Sequence, residues 1–564
     1  MKTLIFSKGH GRARSYLLFS SPLLLIAFLV FLPLGQRLVQ ANPPPDTSSI
    51  IQTPPPAQPS LMGQFNAFME QFIFFDLGFG QIQIDQVDRN GKPLYIEAQN
   101  QGEVQQRKIG IPLIVAWLFL GSLFFTLFYK WVNIWGFKHG IDIVRGKYDR
   151  PEDTGEVSHF RALTSAVSAT VGLGNIAGVA IAIQLGGPGA VLWMLLAALI
   201  GMSEKFSSCT LAQIYRTVNK NGSISGGPMY YLDLGFKEKG PRWAVFGKVL
   251  AVIFAIMTIM GAIGGGNMFQ VNQSVEAIQN GFGISGQGSA LGIGIIFFIF
   301  TGSVILGGIK RIGQATSKLV PFMISLYIGA SLYIIMIHIT EIPSALALIF
   351  RMAFTDNAYY GGIVGVVVWG LKRAHFSNES GLGSSAIAHA AAKTNEPVRE
   401  GLVGMLEPFI DTILVCFMTA LVVILTGVWK DPSIPQQAGV TLTMKAFGSV
   451  ISWYPYILTG CIVMFAYSTV ISWCYYGERA WIYLLDHFNG MGHKTLVLFR
   501  LFFLSFILVG AVNSLTDVLT FTDLMILSMA YPNILGSVIL APKVKVLVVD
   551  YFTRLKNGEL PKLS

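Results

Sequence analysis

The sequence predicts an all-α protein that crosses a membrane many times. Of its 564 residues, 52% are hydrophobic and only 12% are charged, a composition typical of polytopic membrane proteins. Its apolar runs are long and continuous, whereas the strands of membrane barrels alternate in segments of about 10 residues. We therefore interpret the net charge of +10 as basic cytoplasmic loops and not as a nucleic-acid surface.

The N-terminus has the layout of a secretory signal peptide or an uncleaved anchor helix. Lysine and arginine residues precede an apolar run from Tyr16 to Leu34, and Val39-Gln40-Ala41 then offers small residues for cleavage before Asn42. Residues 1–41 are assigned to this element, and both alternatives stay open.

Residues 42–108 form a separate segment that we expect outside the cytoplasm. Two proline triplets, at 43–45 and 54–56, predict extended polyproline structure. The later part alternates apolar and polar residues around Asn90-Gly91, which is consistent with a small hairpin.

The apolar runs that follow predict eleven membrane spans within a domain of residues 109–542, followed by a cytoplasmic tail of residues 543–564. Their approximate limits are 110–133, 160–185, 187–214, 245–275, 287–309, 318–339, 361–388, 401–428, 450–477, 495–514 and 518–541. Lysine and arginine concentrate in alternate loops and in the tail, as expected when the C-terminus is cytoplasmic and the segment before residue 110 is outside.

The stretch Ser165–Gly178, SAVSATVGLGNIAG, lies in the middle of an apolar span. Glycine weakens a helix, and polar groups inside lipid need partners. The sequence therefore predicts a helix that unwinds near Val171 to Gly174, with its free backbone groups facing a cavity. The alternative is a helix-packing face built from small residues.

A second span, 361–388, has the same character, since it contains six glycines together with the polar run Ser377 to Ser380. If the first span is set aside, ten spans remain, and the two interrupted spans open the two groups of five. Five helices per half require inverted halves, and interrupted helices at matching positions indicate a transporter with a midplane site.

The chain resembles the alanine or glycine:cation symporter family from about Ile109 onward. The resemblance rests on SHFRALTSAVSATVGLGNIAGVA, GGPGAVLWMLLAALIGMSEKFSS, GGPMYYLDLG, FSNESGLGSSAIAHAAAKTNEPVREGLV and FAYSTVISWCYYGERA. It implies the leucine-transporter architecture, with one leading helix and a five-plus-five inverted repeat. Leu192-Trp193-Met194-Leu195 departs from the family's usual Phe-Trp-Met-Trp, and the N-terminal segment is longer than the family's.

A zwitterionic amino acid needs donors for its carboxylate and acceptors for its ammonium group, and an unwound helix offers both. The candidate substrate residues are Thr170, Gly172, Gly174, Asn175, Gln270, Thr469 and Trp473. The resemblance implies that Gln270 contacts substrate and that Trp473 limits the size of its side chain. The alternatives are a helix cap for Asn175, an interhelical hydrogen bond for Gln270 and a core position for Trp473.

Sodium is a hard cation and, like calcium and magnesium, prefers oxygen ligands. The resemblance implies a sodium site formed by carbonyls near Ser168 and Val171 and by the hydroxyls of Ser468 and Thr469. The alternative for each hydroxyl is a hydrogen bond to its own helix. Asn378, Glu379 and Asp411 are candidates for gating or coupling, and Glu379 could pair with Lys372 or Arg373 at the cytoplasmic surface.

The expected function is sodium-driven import of a small neutral amino acid, alanine or glycine, across a bacterial inner membrane. We expect no cofactor and no obligate protein partner, with sodium as a co-transported ion. Two other functions stay open: proton-coupled transport, and a transporter-like sensor whose N-terminal segment binds a partner. An intramembrane enzyme is disfavoured because neither HExxH nor GxSxG at a strand-to-helix turn is found.

Overall fold

The computed structural model describes residues 60–74, 82–85, 106–150, 152–219, 222–284, 286–305, 308–435, 437–486, 490–560 and 562. The predicted signal peptide or anchor and most of the segment 42–108 lie outside these residues. The chain divides into two compact units, residues 1–67 and 68–564. In the first unit, the described part is residues 60–67, most of which belong to the first helix.

The described residues are predominantly helical, as predicted. The α-helices are α1 (Leu61–Ile73), α2 (Leu113–Phe128), α3 (Val132–Trp135), α4 (Phe137–Val144), α5 (His159–Thr170), α6 (Val179–Gly186), α7 (Ala190–Ile214), α8 (Pro228–Lys237), α9 (Pro241–Ile263), α10 (Phe269–Phe282), α11 (Gln287–Ile305), α12 (Gly308–Ile337), α13 (Ile342–Met352), α14 (Gly362–Asn378), α15 (Ala386–His389), α16 (Pro397–Gly404), α17 (Phe417–Leu425), α18 (Gly439–Gly448), α19 (Tyr454–Asp486), α20 (Leu496–Val512), α21 (Leu515–Ser528) and α22 (Ala530–Lys556).

Strands are few and short in the part of the chain that the structure describes. They are β1 (Ile82–Asp85), β2 (Gln106–Ile109), β3 (Thr217–Val218) and β4 (Ile224–Ser225), which form the antiparallel pairs β1–β2 and β3–β4. Strand β1 begins the predicted hairpin, but its partner β2 lies beyond it in sequence. The Asn90-Gly91 turn lies outside the described residues.

Each of the eleven predicted segments contains a helix. Within the described residues, eight helical runs are long and apolar enough to cross a membrane. A ninth candidate is the bent pair formed by α5 and Gly174–Gly186, and α2 is apolar but shorter. Apolar runs become helices because backbone groups in lipid must bond within their own segment.

Both predicted interruptions are present. Helix α5 ends at Thr170, the chain resumes helical structure at Gly174, and the two parts meet at a bend of 53°. Helix α14 ends at Asn378, and the following turn places Gly381 and Gly383 at φ of 86° and 79°. Glycine adopts such left-handed conformations without steric cost, so the interruption is encoded locally.

Three π-helical segments lie inside or beside the central helices. They cover Gly174–Gly178, Gly264–Met268 and Phe409–Cys416. The second lies between α9 and α10, and the third lies between α16 and α17. The first packs against α14, α18 and the third. Insertions of this kind are frequent at functional sites, because they alter the regular backbone hydrogen bonding of a helix.

Candidate functional site

The site is built around the interruption between α5 and α6. The amide of Gly172 donates to Asn175 Oδ1 at 2.9 Å, and the amide of Leu173 donates to Gln270 Oε1 at 3.1 Å. Two amides released by the interruption are thus held by side chains, one from the next turn and one from α10. These partners remove the free-energy cost of burying an unpaired backbone N–H group.

Gly172 lies where three helices meet. A Cβ atom added there would lie 2.5 Å from Thr469 Oγ1 and 3.1 Å from Gln270 Oε1. Three predicted substrate residues from α10, α19 and the interruption therefore lie together, and only glycine leaves room for the two polar side chains.

Gln270 connects two irregular segments. Its Oε1 accepts from Leu173, and its Nε2 donates to the carbonyl of Gly265 at 2.9 Å in the second π-helical segment. The interhelical hydrogen bond considered as an alternative is therefore present, and it reaches the backbone of the predicted substrate site.

Three hydroxyl groups connect α5 with α19. Thr469 Oγ1 donates to the carbonyl of Ser168 at 3.2 Å, and Ser168 Oγ donates to the carbonyl of Ser468 at 3.1 Å. Ser472 Oγ donates to Ser168 Oγ at 3.0 Å. The hydroxyl of Ser468 instead donates to its own helix, at Phe465 O. These fully or nearly buried oxygens form a hard-donor environment suited to an alkali cation.

Three other predicted residues lie at the interruption. Thr170 Oγ1 bonds to its own helix at Ala166 and Val167, at 3.3 and 3.4 Å. Val171 is fully buried, and its ψ of 87° begins the unwound part. A Cβ on Gly174 would lie 3.2 Å from Ser377, which places α14 directly against the interruption.

Trp473 joins the site to the interruption of α14. Its Nε1–H donates to Glu379 Oε1 at 3.1 Å, while Ser384 Oγ donates to the other carboxylate oxygen. Trp473 also packs against the second π-helical segment, since a Cβ on Gly266 would lie 2.3 Å from Trp473 Cβ.

The predicted ion pair of Glu379 with Lys372 or Arg373 is wrong. Glu379 is 2% exposed and thus buried, and both basic side chains bind Asp523 instead. The reason is geometric: Glu379 follows the end of α14 in a left-handed conformation, with φ of 56°, which turns it from the helix face of the preceding residues.

Asp411 contacts the interruption through Asn175, and Asn378 belongs to the same group of hydrogen bonds through Thr412. Asp411 Oδ1 accepts from Asn175 Nδ2 at 2.6 Å, and Oδ2 accepts from Thr412 Oγ1 at 2.7 Å. Asn378 Nδ2 donates in turn to Thr412 Oγ1 at 3.0 Å. Asn175 therefore acts both as a cap and as a bridge between the interruption and Asp411.

Sequence reasoning missed a group of buried charges beside Glu379. Lys205 Nζ lies 3.0 Å from Glu407 Oε2 and 2.5 Å from Ser385 Oγ, and all three residues are fully buried. Glu204, also fully buried, accepts from the amide of Gly381 at 2.6 Å. The signal was Glu204-Lys205 within an apolar span, because intramembrane charges are functional candidates.

The described part of the chain was compared with the ligand clusters that transition metals need. Within it, no group of three or more His, Cys, Asp or Glu side chains could hold a metal ion. The four cysteines are free and buried. The arrangement can instead offer amides, carbonyls and hydroxyls, which suit a small zwitterion and a hard monovalent cation.

Comparison with known proteins identifies the family of the chain. The family model described as the sodium:alanine symporter family matches residues 98–564. The sodium/alanine symporter AgcS of Methanococcus maripaludis is 41% identical over 444 residues, covering 78% of this chain and 94% of that protein. A Bacillus subtilis protein named "Probable sodium/glutamine symporter GlnT" is 32% identical over 454 residues, covering 80% of this chain and 90% of the relative.

Among solved structures, the crystal structure of MhsT in complex with L-phenylalanine matches with a TM-score of 0.44 and 17% identity, covering 69% of this chain and 98% of that one. The relatives and the family are transporters and not enzymes, which confirms the resemblance seen in the sequence. The chain is a multi-pass membrane protein that belongs to the sodium:alanine symporter family.

Proposed function

We propose that this protein is a sodium-coupled symporter that imports a small neutral amino acid, alanine or glycine. The observation that carries the proposal is the α5–α6 interruption, where the amides of Gly172 and Leu173 are held by exchangeable side-chain acceptors. An amino-acid carboxylate can replace such an acceptor, because the amides point from the start of a new helical segment.

In this proposal the substrate carboxylate binds the amides between Gly172 and Asn175, and nearby carbonyls accept from the ammonium group. Gln270 and Thr469 lie beside Gly172 and complete the polar part of the pocket. Trp473 forms the wall of the pocket that limits the size of the substrate's side chain. Its own side chain is 1% exposed and packs against the π-helical segment at Gly266. Thr170 and Gly174 shape the backbone on either side.

The sodium ion would bind between α5 and α19. The carbonyls of Ser168 and Val171 and the hydroxyls of Ser468 and Thr469 are its proposed ligands. The contact of Thr469 Oγ1 with Ser168 O, at 3.2 Å, brings two of these oxygens together. Sodium at this position would order the interruption and raise the affinity for substrate, and by linkage the substrate would raise the affinity for sodium.

Transport would follow by alternating access. The proposed architecture has eleven spans in residues 109–542, with one leading helix and inverted halves of five that open with the interruptions at α5 and α14. Asn378, Glu379 and Asp411 would gate or couple the movement. The N-terminal segment would lie outside, after a signal peptide or anchor, and the tail in the cytoplasm of a bacterial cell.

Proton-coupled transport of the same substrates is the second candidate. It is favoured by the carboxyl groups of Glu204, Glu379, Glu407 and Asp411, all buried near the site. A sensor with a transporter-like core remains the third candidate.

Uptake of labelled L-alanine into proteoliposomes tests these alternatives. With an inward sodium gradient, at matched pH and potential, we expect accumulation that Thr469→Ala lowers by roughly tenfold or more. Thr258→Ala is the matched control, because Thr258 is also fully buried but its hydroxyl donates to Phe254 O in its own helix, at 2.8 Å.

The outcomes separate the candidates. Accumulation that continues after sodium is replaced, and follows a proton gradient, would establish the second candidate. A folded protein that binds alanine without accumulating it would favour the sensor. Competition by unlabelled glycine and glutamine would define the substrate, and glutamine competing better than alanine would overturn the proposed preference.

A further inference from the structure

A fully buried carboxylate on α16, that of Glu400, lies between two histidines. Its Oε2 faces Nδ1 of His159, the first residue of α5. Its Oε1 lies 2.6 Å from Nδ1 of His389, the last residue of α15. An ionised carboxylate only accepts hydrogen bonds, so both Nδ1 atoms carry a hydrogen and Glu400 orients both buried rings.

The other nitrogen of each ring faces a second carboxylate. His159 Nε2 lies 4.0 Å from Asp149 Oδ1, and His389 Nε2 lies 3.9 Å from Glu407 Oε2. Both separations are too long for a hydrogen bond. Among the described residues, none of these four atoms has a hydrogen-bond partner. Buried polar atoms usually have one, so the arrangement is incomplete while both rings are neutral.

His389 is the less favourable of the two rings for an added proton. Its neighbour Glu407 already pairs with Lys205, whose ammonium group lies 3.0 Å from the same carboxylate oxygen. A proton on His389 would therefore place a second positive charge beside a buried one, which like charges oppose. We assign His389 the role of holding Glu400 in position.

The surroundings of His159 favour a proton. The charged groups that act on it are Glu400 and Arg399 of α16 and Asp149 of the preceding segment, so two carboxylates oppose one guanidinium group. Arg399 is itself paired with Asp153, at 3.9 Å. The side chain of Asp149 is 45% exposed, whereas His159 is 1% exposed, so a proton can reach the buried ring from solution through Asp149.

The pair His159–Glu400 lies at a junction between distant parts of the chain. The two residues are 241 positions apart. At the same junction, the amide of Lys393 donates to the carbonyl of Val157 at 2.7 Å. In the proposed architecture α5 opens the first half and α16 belongs to the second half. The junction therefore joins the two halves that alternating access has to move.

We propose that His159 is a proton-binding site and that the bound proton locks α5 to α16. A protonated imidazole donates from both nitrogens, so Nδ1 would bond to Glu400 and Nε2 to Asp149. Such charge-assisted hydrogen bonds are stronger than neutral ones. This inference rests on the proposed transport function and adds its regulation by protons from the side of Asp149, which is the cytoplasm in the proposed topology.

The direction of the effect follows from the charges. Acid adds the proton and strengthens the junction, so the two halves separate more slowly. Alkali removes the proton and leaves His159 Nε2 and Asp149 Oδ1 without a bond between them. Import should therefore slow as the pH falls through the range in which histidine titrates, near pH 6.5.

Sodium-driven uptake of labelled L-alanine into proteoliposomes tests the inference. The pH is kept equal on both sides, so that no proton gradient acts, and is varied from about 8 to about 5.5. We expect uptake by the unmodified protein to fall by roughly tenfold toward the acid end. In His159→Gln, which has no group that titrates in this range, uptake should change by less than about twofold.

Two further variants separate proton binding from a structural role. Asp149→Asn keeps the size of the side chain but removes one carboxylate, so the midpoint of the pH profile should move toward lower pH. His139→Gln is the matched control, because His139 is half-buried and its Nε2 bonds to the neutral hydroxyl of Tyr551, at 2.8 Å. It should keep the pH profile of the unmodified protein.

Hydrogen–deuterium exchange supplies a measurement that does not depend on transport. In detergent, and after correction for the pH dependence of the intrinsic rate, the amides at the start of α5 should exchange more slowly at low pH. This protection should be lost in His159→Gln and retained in His139→Gln. If His159→Gln does not fold, the shift of midpoint in Asp149→Asn decides the question.

The outcomes distinguish this inference from the proposed function. Sodium-driven uptake with the same pH profile in His159→Gln, or in Asp149→Asn, as in the unmodified protein would overturn the proton site and leave the transport function intact. Absence of uptake at every pH, with pH-dependent protection of α5 that requires His159, would remove the transport function and leave the proton site. Protection that is independent of pH would overturn the proton site.

Discussion

The indole Nε1–H of Trp473 donates a hydrogen bond to Glu379 Oε1 at 3.1 Å, across 94 positions of sequence. This bond ties the proposed wall of the substrate pocket on α19 to the interruption that follows α14. Both residues are nearly inaccessible, with exposures of 1% and 2%. In the proposed site, the side chain of Trp473 would therefore set both the size of the substrate pocket and the position of the Glu379 carboxylate.

Replacing Trp473 by alanine is expected to relax the size limit of the pocket. The indole is removed where α19 packs against the π-helical segment, so larger aliphatic substrates gain room. Inhibition of labelled alanine uptake by unlabelled leucine should increase by roughly tenfold. Trp481→Ala serves as control, because Trp481 bonds to Thr495 and lies elsewhere on the same helix. Equal leucine inhibition in both variants would contradict the role of Trp473.

Replacing Gly172 by alanine is expected to abolish most transport while the protein still folds. The new methyl group would lie 2.5 Å from Thr469 Oγ1, so the interruption and α19 would have to separate. Overpacking of this kind costs about 1–3 kcal/mol, and uptake should fall by roughly tenfold or more.

Gly178→Ala provides the control for Gly172→Ala. Gly178 lies in the same interrupted segment, but among the described residues no atom outside its own stretch of helix lies within 4 Å of the added Cβ. Near-normal uptake is expected for this variant. Similar losses in the two variants would show that the segment tolerates no added side chain anywhere, and that the contact with Thr469 is not the cause.

Exchanging charges between Asn175 and Asp411 tests their direct contact. Asn175→Asp alone places two carboxylates about 2.6 Å apart, which like charges strongly oppose, so alanine uptake should fall at least roughly tenfold. The double variant Asn175→Asp with Asp411→Asn restores a donor–acceptor pair and should recover part of the lost uptake. A double variant no better than the product of the single effects would argue against the contact.

Breaking the Lys205–Glu407 pair is expected to destabilise the protein. Glu407→Gln leaves a fully buried ammonium group without its carboxylate, at a cost of about 3–5 kcal/mol. Thermal unfolding in detergent should show a clearly lower midpoint. For comparison, Glu238→Gln breaks the pair with Lys543 at the surface, where such pairs are worth about 1 kcal/mol or less. Equal shifts in the two variants would contradict the distinction by burial.

Local patterns were sufficient to predict the helical segments and their interruptions. Apolar runs interrupted by Gly172, Gly174 and Gly381 identified where α5 and α14 stop, because lipid forces backbone groups to bond within their own segment. Asp411 was selected because charged groups inside a membrane span are functional candidates, whereas the roles expected for Gln270 and Thr469 came from the resemblance to the family. The sequence segments that resemble the symporter family also predicted the class of function.

The sequence by itself determined the fold class, the family and the place of the interruption. Only the tertiary structure decided which side chains meet there: Asn175 with Asp411 across 236 positions, Trp473 with Glu379, and Lys205 with Glu407. The expected partner of Glu379 was wrong for this reason. A helix forms from contacts within a few residues, whereas the partner of a buried polar group depends on how distant helices pack and rotate against each other.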